Sequence, residues 1–284
     1  MWRKRYSEEG LWLFDRASGQ NVLLDEFVCH QYSETPAQVS IALTNSCNWK
    51  CAHCFVEKGA NRIDKKDLMR WLRELDGNGT LGVGFGGGEP LLYDGFVDVC
   101  RYVHEETGMA CTFTTNGSLL TESMLESLSP YVDFVRLSTN GLFLDFEKCR
   151  AIAARIKLGI NYLLTDETEC RFGSELNRAE KAGVKEVLVL PCVGKAGEIT
   201  GLADPRRSLE SVLNYKTGST RIVASAIAGR LIPDSVDIPG DKGLRAYAHI
   251  TAAGVIKRDS FSAKGVYIGN RSIVAAIKEL EENK

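Results

Sequence analysis

The chain lacks any long apolar run. Nowhere in its 284 residues does a stretch approach the roughly 18 apolar residues that a membrane helix needs, so no membrane-spanning segment is expected. The N-terminal MWRKRYSEEG carries charge with no apolar region behind it, which excludes a secretory signal as its reading. An excess of one charge sign is also missing. Lys and Arg number 35 against 37 Asp and Glu, a net charge of −2, so neither nucleic acid nor a membrane surface is an expected partner. Repeats, low-complexity runs and long linkers are absent. With 44% hydrophobic and 25% charged residues, the composition excludes wholesale disorder and supports a sizeable core. The length suits one large domain or two small ones, and the expected compartment is the cytoplasm.

What is present in quantity is cysteine, nine in all, beside a mild excess of glycine at 27. In a reducing compartment cysteines serve as metal ligands, catalytic groups or buried hydrophobes. Six stand alone: Cys29, Cys100, Cys111, Cys149, Cys170 and Cys192. Cys100 and Cys149 fall in helical patterns and Cys111 in a strand, where a thiol acts as a small apolar group. The other three, Cys47, Cys51 and Cys54, crowd into one short segment.

Short apolar strands alternate with helical patterns. Strands are predicted over Gln38–Thr44, Leu81–Phe85, Ala110–Thr114, Val132–Leu137, Gly159–Leu164 and Val184–Pro191. Helices are predicted over Asp64–Leu75, with Leu68, Trp71, Leu72 and Leu75 on one face, over Gly95–Glu106 and Phe146–Lys157, and near Glu122–Leu128 and Ser174–Ala182. Six βα units in series imply a parallel sheet with right-handed crossovers. The predicted class is α/β, a partial (β/α)6 TIM-like barrel with an open doubly wound sheet as the alternative; either places function at the C-terminal ends of the strands. Residues 1–37 form an N-terminal extension, hairpin-like over Gly10–Phe27 with its turn at Ala17-Ser18-Gly19. Residues 38–204 form the barrel. Residues 205–284 are read as a small C-terminal appendage: a helix near Leu209–Tyr215, a β-hairpin of Leu244–Thr251 and Val255–Lys257, and a closing helix over Ser272–Glu282.

The spacing C-x3-C-x2-C of Cys47, Cys51 and Cys54 can wrap one face of a small cluster and leave one metal position open. A structural zinc site would want a fourth protein ligand, for which adjacent His53 is the alternative. Gly86-Gly87-Gly88-Glu89-Pro90 follows the second predicted strand. Its glycines allow close approach to backbone, and its carboxylate can grip an ammonium group; the plainer reading is a tight strand-to-helix turn.

Together these motifs resemble the radical S-adenosylmethionine (radical SAM) superfamily. The resemblance implies a [4Fe–4S] cluster on Cys47, Cys51 and Cys54, with Phe55 as the usual neighbouring aromatic. It implies SAM bound by Gly87, Gly88 and Glu89 through its methionine amine, with Asn116 of Thr115-Asn116-Gly117 and Ser138 and Asn140 of Ser138-Thr139-Asn140-Gly141 as further contacts. Relatives often carry Asp where this chain has Asn140, which keeps the hydrogen bonding and drops a charge. The implied chemistry is reductive cleavage of SAM to a 5′-deoxyadenosyl radical that abstracts a hydrogen atom from a substrate, with an electron donor such as flavodoxin or ferredoxin.

The tail resembles a SPASM or Twitch extension that has lost its cluster cysteines: their places read Leu244 and Asp259, with Ala226 a possible third, and no cysteine follows Cys192. One cluster is therefore expected. The tail favours a peptide substrate, with a small metabolite as the alternative and a non-catalytic binding module as the alternative of another class. The roughly 37 residues before the barrel are short for a winged-helix leader-binding domain, so a peptide would need direct docking or a separate recognition protein. Asn161, Tyr162 and Thr165 after the fifth strand, and Cys192 and Lys195 after the sixth, are candidate substrate contacts, each with a structural reading beside it. Cys192 would be the hydrogen-atom donor. His104 and His249 have no partner pattern and read as surface or core.

Overall fold

A computed structural model describes residues 2–25, 32–54, 56–142, 144–194, 198–229, 231–232 and 243–283. Phe55, Lys195 and Cys29 lie outside the described residues. In chain order the strands are β1 (Trp2–Ser7), β2 (Gly10–Asp15), β3 (Gln20–Leu24), β4 (Gln38–Thr44), β5 (Gly82–Gly87), β6 (Ala110–Thr115), β7 (Phe134–Ser138), β8 (Leu158–Leu164), β9 (Glu186–Val193), β10 (Ile199–Thr200), β11 (Arg221–Ala224), β12 (Tyr247–Ile250), β13 (Val255–Lys257) and β14 (Val266–Tyr267). The helices are α1 (Lys65–Gly77), α2 (Phe96–Glu106), α3 (Glu122–Leu128), α4 (Phe146–Ala153), α5 (Asp166–Glu169), α6 (Phe172–Lys181), α7 (Pro205–Leu213), α8 (Ala226–Gly229) and α9 (Ile273–Glu282).

Strands β4 to β9 run parallel, each hydrogen-bonded to its neighbour in sequence. This is the predicted partial (β/α)6 barrel. Alternate strand residues explain its two faces. Val39, Ile41 and Leu43 of β4 and Val83 and Phe85 of β5 join Leu68, Trp71, Leu72 and Leu75 of α1 and Phe96, Val99 and Val103 of α2 in one core. Each such buried Leu or Val contributes about 2 kcal/mol of transfer free energy. The intervening residues, Gln38, Ser40 and Ala42 on β4 and Gly82, Gly84 and Gly86 on β5, are left for the barrel interior. Helix starts follow local chemistry: Asp64, Thr121, Asp145 and Ser272 each cap a helix with a side-chain oxygen. Helix α4 stops at Ala153, four residues before the predicted end, and the chain turns there to enter β8.

The tail is hydrogen-bonded into the barrel sheet. The expected hairpin forms, with His249 opposite Lys257 and Ile250 opposite Ile256. Yet β12 also lies parallel to β4, and β11 lies parallel to β9. Tail strands therefore extend both edges of the barrel sheet, covering edges whose backbone groups would otherwise lack partners. Strand β11 is too short to announce itself in the sequence.

The N-terminal hairpin is present as β2 and β3, and Ser18 donates from N and Oγ to the Asp15 carboxylate at 3.0 and 2.7 Å in its turn. Strand β1, unforeseen in the sequence, pairs antiparallel with β2. Its charges hid it, because Arg5 points inward and is only 1% exposed. The guanidinium donates to the carbonyls of Thr35 (2.8 Å), Gly79 (2.9 Å) and Arg245 (2.9 Å), tying the extension to the barrel and the tail.

Towards the N-terminal end of the barrel interior, Arg136 of β7 and Arg221 of β11 both pair with buried Glu186 of β9. Burial alone would raise the Glu186 carboxyl, but the two guanidinium groups outweigh it and hold it below the usual range. A lowered folded-state value contributes stability that is present above the ordinary glutamate range and is lost as pH falls through the folded value. Glu186→Gln should therefore cost about 2 kcal/mol at neutral pH, less than a fully buried pair because both arginines keep some solvent. The difference from wild type in urea unfolding should shrink below about pH 4; a pH-independent difference would contradict the assignment.

Candidate functional site

The C-terminal rim of the barrel collects the loops that follow β4 to β8. The cysteine segment leaves β4 at Thr44 and returns by Asn61 and Ile63. Asn45 N donates to Asn61 O (2.8 Å) and Ile63 N to Leu43 O (3.0 Å), which closes the loop at its root. Cys54 N donates to Cys51 O at 3.2 Å, and Trp49 N lies 3.4 Å from Cys47 Sγ. Cys47 and Cys51 are half-buried and Cys54 is exposed. Burial, then neighbouring Cys54, pushes the Cys51 thiol up, with Lys58 opposing and Cys47 adding to the rise. Among the described residues no three His, Cys, Asp or Glu side chains converge on one ion. A cluster spreads its thiolates over separate irons, and three thiols carried on one loop are a donor set that fits such a group.

The glycines of the second motif have a cause that spacing did not reveal. Gly87 and Gly88 are pressed against the cysteine loop: Gly88 N donates to Thr44 O at 2.6 Å and Glu89 N to Ser46 O at 2.8 Å. A Cβ on Gly88 would lie against Ser46 O, 2.5 Å from the Ser46 carbonyl carbon and 2.9 Å from that of Asn45. Gly87 has φ +114°, and a Cβ there would strike Thr44 O. Glu89 is 1% exposed. Its carboxylate accepts from Thr115 Oγ1 (2.7 Å), Asn116 N (2.9 Å) and Leu91 N (3.3 Å). Burial raises the Glu89 carboxyl above its ordinary range despite these donors. No described cationic side chain pairs with it.

Asn116 reaches back to the cysteine loop. Its Nδ2 donates to Asn48 Oδ1 at 2.9 Å and lies 4.0 Å from Cys47 Sγ, while Asn48 Nδ2 donates to Ser118 Oγ at 2.8 Å. Asn48 and Ser118 carry no signal of their own in the sequence; the Thr115-Asn116-Gly117 turn after the third strand is what points towards them. Asn140 takes a left-handed conformation (φ 54°), one that asparagine tolerates, and its Oδ1 lies 3.5 Å from His53 Nε2. Ser138 ends β7 in register with Asn161 on β8. Asn161 Oδ1 is buried with no hydrogen-bond partner among the described residues.

Other candidates fall elsewhere. Tyr162 faces the helices, donating to Thr168 O at 2.8 Å and meeting Phe172 edge-on. Thr165 caps α5. Both are structural, because alternation along β8 turns Tyr162 outward when Asn161 turns inward. Cys192 is half-buried near the end of β9, opposite Thr200 of β10 and away from the cysteine loop in the sheet order. His104 on α2 stacks edge-on against Tyr131.

Residues 41–161 match the model of the Radical SAM superfamily. Over 151 residues the chain is 26% identical to the S-adenosylmethionine-dependent nucleotide dehydratase RSAD2 of Oncorhynchus mykiss, covering 51% of this chain and 43% of that protein. Over 145 residues it is 29% identical to GTP 3′,8-cyclase of Chlorobaculum tepidum, covering 50% and 42%. The chain thus spans less than half the length of these curated relatives. In fold it is similar to Streptococcus suis SuiB bound to its precursor peptide SuiA, with TM-score 0.76 and 16% identity over 97% of this chain and 88% of that one. It is similar also to anSMEcpe with bound AdoMet, at TM-score 0.67 and 16% identity over 87% and 82%. Residues 41–161 are thus similar to the radical SAM superfamily, as the two sequence motifs lead one to expect.

Proposed function

We propose that this chain is a radical SAM enzyme that holds one [4Fe–4S] cluster on Cys47, Cys51 and Cys54 and binds SAM at the same rim. The observation that carries the reading is the contact between motifs. Gly87 and Gly88 lie on the backbone of the cysteine loop, which sets a buried carboxylate, with no cationic partner among the described residues, against the root of the loop that carries the three thiols. Glu89, held in place by Thr115 and Asn116, would take the methionine ammonium of SAM. Asn116 would steady the cysteine loop, and Ser138, Asn140 and Asn161 would offer hydrogen bonds to the rest of the ligand. Phe55 is proposed beside the third thiolate on sequence grounds alone. The cluster, when bound, supplies the electron that cleaves SAM reductively and starts hydrogen-atom abstraction from the substrate.

A single cluster is the reading the tail supports. Leu244 is buried in the core, and Asp259 closes a turn by accepting from Phe261 N (2.8 Å) and Ser262 N (2.7 Å). Both positions have taken structural work in place of ligation. Residues 38–204 are proposed as the radical SAM unit and 205–284 as the SPASM-like tail without cluster ligands. The substrate reading is a peptide, supported by the likeness over nearly the whole chain to a fold that carries a precursor peptide in SuiB. A small metabolite is the second reading, favoured by the nucleotide-acting relatives that match about half of the chain. Cys192 remains the proposed hydrogen donor, and a flavodoxin or ferredoxin the proposed reductant.

Anaerobic reconstitution with iron and sulfide, followed by dithionite and SAM, tests the proposal. About four irons per chain and formation of 5′-deoxyadenosine are expected. About eight irons would add a second cluster, and zinc, or a cluster that never cleaves SAM, would point to a binding or structural protein.

A further inference from the structure

Three neighbouring strands present no inner side chain larger than threonine at two successive levels. The register sets Ser40 of β4 beside Gly84 of β5, and Gly84 beside Thr112 of β6. Nearer the rim, Ala42 stands beside Gly86, with Thr114 on the same face of β6. A Cβ at Gly86 would meet nothing within 4 Å, and one at Gly84 would meet only Thr112 Oγ1, at 3.2 Å. Glycine weakens a strand and packs nothing, so bare backbone here marks a place of close approach. The Gln38 carboxamide lies over Gly82, 2.8 Å from where its Cβ would stand, and floors the space. On β7 the next inner residues turn away: the Phe134 ring lies over Gly159, and Arg136 reaches to Glu186 while keeping one buried Nη1 without a partner.

A second observation comes from the tail. The register places His249 of β12 beside Ser40, with Nδ1 3.2 Å from Ser40 Oγ. His249 is 9% exposed, and its Nε2 has no hydrogen-bond partner among the described residues. Burial, with Lys257 across on β13, lowers the imidazole to about 4, Asp259 opposing. The neutral ring offers one donor and one acceptor. The groups lining the space on β4, β5, β6 and β12 are hydroxyls, a carboxamide and this imidazole, and the Arg136 guanidinium beside Thr114 is already paired with Glu186. A charged group buried among them would go unpaired at high cost, whereas a neutral polar group finds partners.

We propose that this slot, walled by Gly84 and Gly86 beneath the Gly87–Glu89 loop and edged by His249, receives an uncharged hydrogen-bonding group of the substrate, an amide or hydroxyl side chain, with His249 as its partner. The slot's role as a substrate site rests on the radical-enzyme reading; its geometry does not. The test uses the reconstituted full chain with SAM and blocked amino acids, the N-acetyl-N′-methylamides of Asn, Gln and Ser against those of Asp, Glu and Lys. Binding is followed by saturation-transfer NMR and by the imidazole nitrogen shifts of His249. The neutral probes should bind and move the His249 signal. His249→Phe, which keeps the ring volume, and Gly84→Val, which fills the slot, should each weaken them roughly fivefold or more. Gly84→Ala should give a smaller loss in the same direction, and melting curves confirm that each variant folds. Equal binding of the charged probes, an unmoved His249 signal, or full binding by His249→Phe would overturn the proposal. Failure of the wild-type chain to form 5′-deoxyadenosine would instead sink the radical-enzyme reading and leave probe binding as a separate result.

Discussion

Glu89→Gln is expected to weaken SAM binding about 100-fold while leaving the fold standing. A charge-assisted hydrogen bond in a desolvated site contributes roughly 2–3 kcal/mol, which is the size of that loss. Glu89 is enclosed, holds three donors and has no counter-cation among the described side chains. An arriving ammonium offsets a desolvation cost already present; the neutral amide offers it nothing comparable. The same burial gives a stability signature. A carboxyl raised in the folded state contributes stability below its unfolded value, and that contribution is lost as pH rises through the folded value. The amide does not titrate, so relative to wild type the SAM-free variant should gain in melting temperature as pH rises from acid to neutral. Titration calorimetry with SAM and melts at two pH values read both effects. Binding by the variant within threefold of wild type would remove Glu89 from the site.

Gly88→Ala is expected to lower the melting temperature by about 6 °C and to impair retention of the cluster. The added methyl would be driven into the Ser46 carbonyl and crowd Asn45, and both obstacles are backbone. Neither can swing aside as a side-chain end would, so the two loops must part. Overpacking of this kind costs about 3 kcal/mol, and each kcal/mol moves the midpoint of a domain this size by roughly 2 °C. Parting also breaks the Gly88–Thr44 and Glu89–Ser46 hydrogen bonds that align the carboxylate with the thiols. Gly86→Ala is the contrast, because its Cβ meets nothing within 4 Å. It should melt within a degree or so of wild type. Similar melting and iron content for the two variants would show that the loop contact does not organise the site.

Much of the barrel is legible in the residue pattern alone. Leu68, Trp71, Leu72 and Leu75 recur at helical spacing, Asp64 caps the helix they form, and α3 spans Glu122–Leu128 as predicted. These signals are local: a cap or an apolar stripe is decided by residues three or four apart. The cysteine spacing and the Gly-Gly-Glu turn are local in the same sense, so the chemistry of the rim is readable from short words in the chain. Tyr162 shows the limit, since its neighbour Asn161 faces the interior and only strand register says which of the two does.

What the sequence determined by itself is the order of βα units, the helix boundaries near their caps, and which three thiols and which carboxylate stand in the loops after the first two barrel strands. Tertiary structure alone decided that Gly88 must be glycine because another loop lies on it, that Arg5 belongs inside, and that a tail strand brings His249 to Ser40. The last two depend on partners far off in sequence: Arg5 bonds to Arg245 across 240 residues, and Ser40 meets His249 across 209. Such pairings are fixed only when the sheet closes its edges and burial selects one register. Local preference carries no information about either, because the free energy that chooses them is released only once the distant strands have met.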